Sequence, residues 1–170
     1  MKLTFIGVEG IPMVEPGDDL VALIDEALAA AGEQLLADDV IVIAQKIISK
    51  AEDRYLDLRT VTPTEEAIRL GEEVDKDPRK VQAILDESNE IVRQRPGVLI
   101  VEQRSGFVQA NAGIDQSNIR LGDGDPDDLC LLLPIDSDAS AQRLHTTIRE
   151  RHNLEVGIII NDSLGRAWRM

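Results

Sequence analysis

Two short runs of apolar, mostly β-branched residues constrain the fold more than any other feature. Residues 40–43 read Val-Ile-Val-Ile, and residues 156–160 read Val-Gly-Ile-Ile-Ile. Each run is too short for a typical buried helix, and strands that are apolar on both sides occur where helices cover a sheet. The runs therefore predict buried strands. Together with helical segments between them, they predict a mixed α/β fold with twisted sheets and surface helices.

The helical segments are predicted from apolar spacing and from start signals. They cover residues 19–36, 63–75, 78–88 and 136–151. Their predicted N-caps are Asp18 for the first, Thr62 or Thr64 for the second, Asp77 for the third, and Ser137, Asp138 or Ser140 for the fourth. The second and third segments are acidic, and we expect them to be mainly exposed.

Further strands are predicted from short apolar or alternating runs. They cover residues 2–8, 55–61, 97–101 with 106–109 as its partner, and 129–133. Small and polar residues make 110–118 and 121–128 loops. The length of 170 residues suits one domain or two small lobes.

Charge and composition exclude several classes of function. The net charge is -14, so a long basic face for nucleic acid is not expected. No stretch approaches the roughly 18 apolar residues of a membrane span, and we expect a cytoplasmic protein. Cys130, the single cysteine, lies in an apolar run and is predicted to be a buried structural thiol. His145 and His152 are predicted to be surface residues.

Asp162 and Ser163 directly follow the second apolar run, where an α/β strand delivers side chains to the crevice beyond its carboxyl end. A carboxylate and a hydroxyl are oxygen ligands of the kind that Mg²⁺ or Mn²⁺ prefers, and such ions keep waters and phosphate oxygens as further ligands. The alternative is a turn or a cap, because an Asx turn needs the same geometry.

A second candidate site is the small-residue loop 110–118, which carries Asp115, Ser117 and Asn118. Its glycine and alanines would let a ligand approach the backbone. The alternative is a tight polar loop without a ligand, since glycine and asparagine also favour unusual backbone angles.

Basic residues cluster near strand ends in this acidic chain. Arg166 and Arg169 follow Asp162, and Lys46 and Lys50 follow the first apolar run. Arginine contacts phosphate or carboxylate with two parallel hydrogen bonds, although solvated side chains are the simpler alternative. The sequence contains neither a G-x-x-x-x-G-K-[ST] phosphate loop nor a G-x-G-x-x-G fingerprint, so a nucleotide site would be of another kind.

Five ordered blocks resemble the coenzyme F420:L-glutamate ligase family, also called F420-0:gamma-glutamyl ligase. They are GIPMVEPGDD (10–19), AQKIISK (44–50), GFVQANAGIDQSN (106–118), LLPID (132–136) and NDSLGRAWR (161–169). The resemblance covers almost the whole chain. It implies a family-specific two-lobed fold, distinct from P-loop and Rossmann folds, in a homodimer.

The resemblance also implies an activity. Members of such a family would use GTP to add L-glutamate to coenzyme F420-0 through an amide bond, and then extend the tail with gamma-linked glutamates. The nucleotide's terminal phosphoryl group would activate the acceptor carboxylate as an acyl phosphate. A divalent metal, Mg²⁺ or Mn²⁺, and a monovalent cation such as K⁺ would assist.

Roles for particular residues follow from the matched blocks. The implied metal ligands are Asp115, Asp162 and Ser163. The implied GTP contacts are Ile11, Pro12, Met13, Val14, Gln45, Lys50 and Asn118. Arg166 and Arg169 are candidates for phosphate or carboxylate contacts. Ser163 stands where the family more often has threonine, Gln45 where serine also occurs, and Ala167 where proline is common.

Family members continue past the equivalent of Met170, so we expect the chain to be the N-terminal and central portion of a ligase domain, without the C-terminal remainder. Two alternatives to the ligase stay open. One is a non-catalytic nucleotide-binding or coenzyme-binding fragment. The other is a ligase of the same chemistry that acts on a different carboxylate.

Overall fold

A computed structural model describes residues 2–117, 119 and 126–162. The helices are α1 (Leu20–Ala31), α2 (Gln45–Ala51), α3 (Glu65–Val74), α4 (Pro78–Asp86) and α5 (Ser137–His152). The strands are β1 (Val40–Ala44), β2 (Tyr55–Asp57), β3 (Ser88–Arg95), β4 (Val98–Gln103), β5 (Val108–Ala110), β6 (Leu129–Leu131) and β7 (Gly157–Asn161). Short 3-10 turns cover Leu58–Thr60, Asn111–Gly113 and Pro126–Asp128. The predicted mixed α/β class is confirmed.

The described residues form two compact units. The first unit contains residues 2–53 and 134–162, and the second contains residues 54–117, 119 and 126–133. In the first unit, β1 pairs in parallel with β7, from Val40 opposite Gly157 to Ala44 opposite Asn161. The second unit contains an antiparallel sheet in the order β3-β4-β5 and an antiparallel pair of β2 with β6.

One face of the β1–β7 sheet is covered by helices and the other is exposed. Ile41 and Ile158 pack with residues of α1 and α5, whereas Val40, Val42 and Ile159 are exposed. The prediction that residues 40–43 form a buried strand is therefore right for one face of β1 only, among the described residues. The reason is that a parallel sheet is buried on both faces only where elements cover both, and here helices of the first unit cover one.

The start of the chain does not form the strand predicted at residues 2–8. These residues lie in neither helix nor strand, and Phe5 is 88% exposed. Alternating apolar residues show only that a segment is suited to a strand. A strand also needs a neighbour for its backbone hydrogen bonds, and no described strand pairs with this segment.

Capping side chains set the helix starts, in two cases at other residues than predicted. Asp19, not Asp18, caps α1 by accepting a hydrogen bond from the Ala22 backbone at 3.1 Å. Asp136 caps α5 by accepting from Ala139 at 2.8 Å, so the prediction of Ser137, Asp138 or Ser140 as its cap is wrong. Thr64 and Asp77 cap α3 and α4 as predicted.

Helices α3 and α4 supply a large part of the core of the second unit. Their inner faces bury Leu70, Val74, Val81 and Ile84 in one cluster with Leu99 of β4. The expectation that both helices are mainly exposed therefore holds only for their outer faces. Spacing of apolar residues every three or four positions produces such a two-sided helix even in an acidic segment.

No helix in the described parts of the chain combines the length and the apolar character needed to cross a bilayer.

Candidate functional site

In the first unit, the strand register brings Asp162 and the start of α2 to one edge of the sheet. Because β1 and β7 are parallel, their carboxyl ends lie at the same edge. Asn161 pairs with Ala44, so Asp162 and Gln45 are each the next residue beyond the paired ends. Helix α2, which sequence reasoning missed because seven residues are too few for a periodic pattern, begins at this edge. Such an edge is where open α/β sheets bind ligands.

Lys50 connects α2 to the 11–14 loop. Its side chain is buried, with the residue only 4% exposed, and its Nζ lies 3.1 Å from the Sδ of Met13. Burial lowers the pKa of Lys50, and the nearby charge of Lys46 lowers it further. Next to Met13, Val14 packs in the core with Ile48 of α2. The contact and the packing hold the predicted GTP-contacting loop against the helix that carries Lys50.

Gln45 is also buried, and its Nε2 donates to the hydroxyl of Ser49 one turn further along α2. The side-chain amide therefore already stabilises the helix. The structure places Gln45 next to the carboxyl end of β1 and gives its side chain a local structural contact there.

In the second unit, backbone and side-chain hydrogen bonds fix Asp115. Its backbone N–H donates to the Leu131 carbonyl at 3.0 Å, and its carbonyl accepts from the Leu131 N–H at 2.8 Å. Its Oδ1 accepts from the Ser117 backbone at 2.7 Å. The last contact is an Asx turn, which agrees with the tight polar loop that was the alternative to a ligand site here. These hydrogen bonds fix the backbone that carries the Asp115 carboxylate.

Three successive residues with left-handed backbone angles lead into this loop. Asn111 and Ala112 both have φ of 54°, and Gly113 has φ of 73°. Residues with a Cβ rarely adopt such angles, and they do so only where the surroundings impose them. Ala112 is buried in the core of the second unit, which provides that constraint. The path of the chain two residues before Asp115 is thus imposed by packing.

The first turn of α4 holds the loop that carries Asp115, and sequence reasoning did not identify it. The Nζ of Lys80 donates to the Oε1 of Gln116, and the Nε2 of Gln116 donates to the Asp127 carbonyl at 3.1 Å. Burial lowers the pKa of Lys80. The sequence did contain a signal for the start of this helix. Asp77 is its N-cap and Pro78 its first residue, which places Lys80 in the first turn.

The donor chemistry of the two aspartates fits a hard divalent cation. Asp115, in the second unit, and Asp162, in the first, each offer carboxylate oxygen, and Mg²⁺ is commonly held by one or two carboxylates with phosphate oxygens and waters. The described residues contain no group of three or more histidine, cysteine, aspartate or glutamate side chains placed to hold a metal. Ser163, Asn118, Arg166 and Arg169 lie outside the described residues.

The fold and these residues define a mixed α/β protein with aspartate carboxylates and a buried lysine in its candidate sites. The sequence profile described as F420-0:gamma-glutamyl ligase matches residues 10–170, and the chain belongs to that family.

The chain is also similar to proteins named coenzyme F420:L-glutamate ligase. The chain is 45% identical over 169 residues to a coenzyme F420:L-glutamate ligase of Methanothermobacter thermautotrophicus, covering 99% of this chain and 65% of the relative. It is 40% identical over 170 residues to the protein of that name from Methanopyrus kandleri, covering 98% of this chain and 63% of the relative. The chain thus spans a little less than two thirds of these relatives.

Proposed function

We propose that this chain takes part in the GTP-dependent ligation of L-glutamate to coenzyme F420-0. The observation that carries the proposal is the family match over residues 10–170, together with relatives named coenzyme F420:L-glutamate ligase at up to 45% identity. The first unit supports it, because Asp162, Lys50 and the 11–14 loop are grouped around α2 and the sheet edge. We further propose that the protein acts as a homodimer in the cytoplasm.

In this proposal, Asp115, Asp162 and Ser163 bind Mg²⁺ or Mn²⁺, and K⁺ is an additional cation. The bound ions neutralise charge on the nucleotide's phosphates. Loop 11–14, Gln45, Lys50 and Asn118 contact GTP. Burial makes the Lys50 ammonium a strong partner for phosphate, since electrostatic attraction increases where water is excluded. Arg166 and Arg169 contact phosphate or carboxylate.

The reaction proceeds in two group transfers. A carboxylate oxygen of coenzyme F420-0 attacks the terminal phosphorus of GTP, the bond from that phosphorus to the bridging oxygen breaks, and GDP leaves. The amine nitrogen of L-glutamate then attacks the carbonyl carbon of the acyl phosphate. The amine loses a proton, phosphate leaves, and an amide remains. Positioning and charge stabilisation supply the catalysis of phosphoryl transfer.

Mass spectrometry of the coenzyme tests the proposal directly. The chain is incubated with GTP, Mn²⁺, L-glutamate and coenzyme F420-0, and each ligation adds one glutamate residue to the coenzyme. Asp162→Asn, which removes an anionic ligand, is expected to abolish the product and weaken Mn²⁺-dependent GTP binding. Asp138→Asn, an exposed carboxylate on α5, is the matched control and is expected to retain both.

Each alternative function predicts a different result. GTP and Mn²⁺ binding without glutamate addition would support a nucleotide-binding or coenzyme-binding protein. Addition of glutamate to another carboxylate in preference to coenzyme F420-0 would support the same chemistry on a different acceptor. Unchanged GTP and Mn²⁺ affinity in Asp162→Asn would reject the metal role of Asp162.

A further inference from the structure

The first unit contains a cavity that the nucleotide and metal assignments do not use. It has a volume of about 270 Å³ and lies between the start of α1, the end of α2 and one face of α5. Its apolar lining includes Leu20, Ile48 and Leu144, which belong to the core cluster of this unit. Its polar lining contains both arginines and carboxylates. This volume lies just below the range of about 300–1,000 Å³ that is typical of ligand pockets, which suits a small metabolite and not a nucleoside triphosphate.

Opposite charges line this cavity on different elements. Arg143 and Arg151 are on α5, whereas Asp18 and Asp19 precede α1 and Glu52 follows α2. A simple anion would meet three carboxylates, and a simple cation would meet two guanidinium groups. A ligand that carries both charges can satisfy both sides. The lining therefore favours a zwitterionic ligand.

The arginines already form ion pairs across the cavity lining. The Nη2 of Arg143 donates to Glu52 and to the Ser140 hydroxyl, and the Nη2 of Arg151 donates to Asp19. The side chains of Arg143 and Arg151 are 62% and 38% exposed, so these pairs are in contact with solvent. Exposed ion pairs contribute little net stability, about 0–1 kcal/mol, so a ligand with matching charges can replace them. Each guanidinium carries five N–H donors, and the contacts just described use only the Nη2 nitrogen of each arginine.

Spacing along α5 favours a ligand with two carboxylates. Arg143 and Arg151 are eight positions apart, which is about 12 Å of helix axis, and both side chains are long enough to converge on a molecule between them. Glu52 and Asp19 would then accept hydrogen bonds from an ammonium group. The apolar residues of the lining would contact the methylene groups that separate the charges.

We propose that this cavity binds a small α-amino dicarboxylic acid. The inference rests on the proposed function, in which L-glutamate is a co-substrate, and assigns that co-substrate a binding site. Helix α2 carries Lys50 as well as Ile48 of the cavity lining, and Glu52 directly follows it, so one short helix and its C-cap serve both the nucleotide and the amino acid. Arg143 and Arg151 bind the two carboxylates, and Glu52 binds the ammonium group.

Calorimetric titration with L-glutamate tests the site without nucleotide or metal. The chain is expected to bind L-glutamate at least about tenfold more tightly than glutarate, which lacks the amine, or L-glutamine, which lacks the second carboxylate. Loss of one charged hydrogen-bonding group accounts for a factor of about ten. Because the assay contains no GTP, a chain that fails to ligate glutamate can still pass it, and an active ligase can fail it.

Substitutions on α5 distinguish the site from nonspecific attraction. Arg143→Met and Arg151→Met are each expected to weaken L-glutamate binding about tenfold or more. Arg149→Met removes the same charge from an exposed position on the same helix and is expected to change the affinity less than twofold. Circular dichroism checks that each variant is folded. If Arg143→Met unfolds, Arg143→Lys replaces it in the test; this variant keeps the charge and is expected to retain part of the affinity.

Two results would overturn the inference. One is the absence of any L-glutamate binding to the folded chain. The other is equal loss of affinity in Arg149→Met and in the two cavity variants, because a general charge effect would then explain the binding.

Discussion

The substitution Gly113→Ala combines two energetic costs, one from the backbone angle and one from steric overlap, in the loop before Asp115. Gly113 has φ of 73°, and an added Cβ would lie 2.8 Å from the Nε2 of Gln109, 2.8 Å from the Cδ1 of Leu133 and 2.9 Å from its Cγ. The left-handed backbone costs a residue with a Cβ about 1–2 kcal/mol. Steric overlap in a packed region costs a further 1–3 kcal/mol or so. Alanine restricts the unfolded chain and returns about 0.4–1 kcal/mol. The expected loss is about 1–5 kcal/mol.

Two other glycines of the second unit isolate each cost. Gly97 has φ of 77° with nothing within 4 Å of an added Cβ, so Gly97→Ala has only the backbone cost and is expected to lose about 1 kcal/mol. Gly71 is helical, and its Cβ would meet the Lys76 carbonyl oxygen at 2.9 Å. In Gly71→Ala the steric cost is opposed by about 1 kcal/mol of helix propensity, and the expected loss is about 0–2 kcal/mol.

Urea unfolding followed by far-ultraviolet circular dichroism measures all three variants. The expected order of destabilisation places Gly113→Ala first. Mn²⁺ affinity is expected to fall in Gly113→Ala and to stay unchanged in Gly97→Ala, because only the former changes the approach to Asp115. A loss in Gly113→Ala no larger than that in Gly97→Ala would refute the reasoning, since it would mean that Gln109 and Leu133 move aside without cost.

Burial raises the pKa of Cys130 to about 11, so iodoacetamide at pH 8 is expected to label it only after urea is added. The unfolded thiol loses its proton first as pH rises, so the contribution of Cys130 to stability is expected to be constant below about pH 8.5 and to fall between about pH 8.5 and the folded pKa, as urea titrations at several alkaline pH values would show. Leu99→Ala, at a fully buried core position, is expected to cost about 2–5 kcal/mol in urea unfolding, and the exposed Val92→Ala is its control; similar losses would contradict the described core. Arg59 holds the pKa of Asp57 down at about 2, mainly by hydrogen bonding. Arg59→Met is expected to return it toward the usual range by NMR titration, and no change would exclude that cause. Any stability from this lowered pKa is present above about pH 4 and is lost as pH falls toward 2.

The sequence predicted elements well where a local rule decides them. Thr64 and Asp77 have side chains that cap a helix, and the β4–β5 hairpin follows from an apolar run and a turn at Gly106. It failed where tertiary contacts decide. Helix α2 is too short to show a period, and β3 is a largely polar strand that forms because it pairs with β4.

The residues of the candidate site likewise divide into those that the local sequence predicts and those that depend on tertiary contacts. The position of Asp162 after a strand follows from the sequence, because the isoleucine run ends there. The burial of Lys50 and its contact with Met13 do not, since they depend on how residues 37 positions apart pack together. Lys80 was missed for the same reason: its partner Gln116 lies in another part of the chain. Family resemblance identified the matched residues, whereas the contacts that hold them come from the fold.

Helix α2 connects the residues that we propose for GTP with the cavity that we propose for the amino acid, and this arrangement limits which variants can separate the two proposed binding functions. Ile48 belongs to the hydrophobic core and also lines the cavity, so a smaller residue there would disturb both sites. Lys50 of α2 contacts Met13. Arg143 donates a hydrogen bond to Glu52, the residue that follows the C-terminal end of α2. Loss of one binding function without the other is therefore expected only from charged side chains such as these two. Any coupling between the two sites through this helix has to be reciprocal, so each ligand would change the affinity for the other by the same factor.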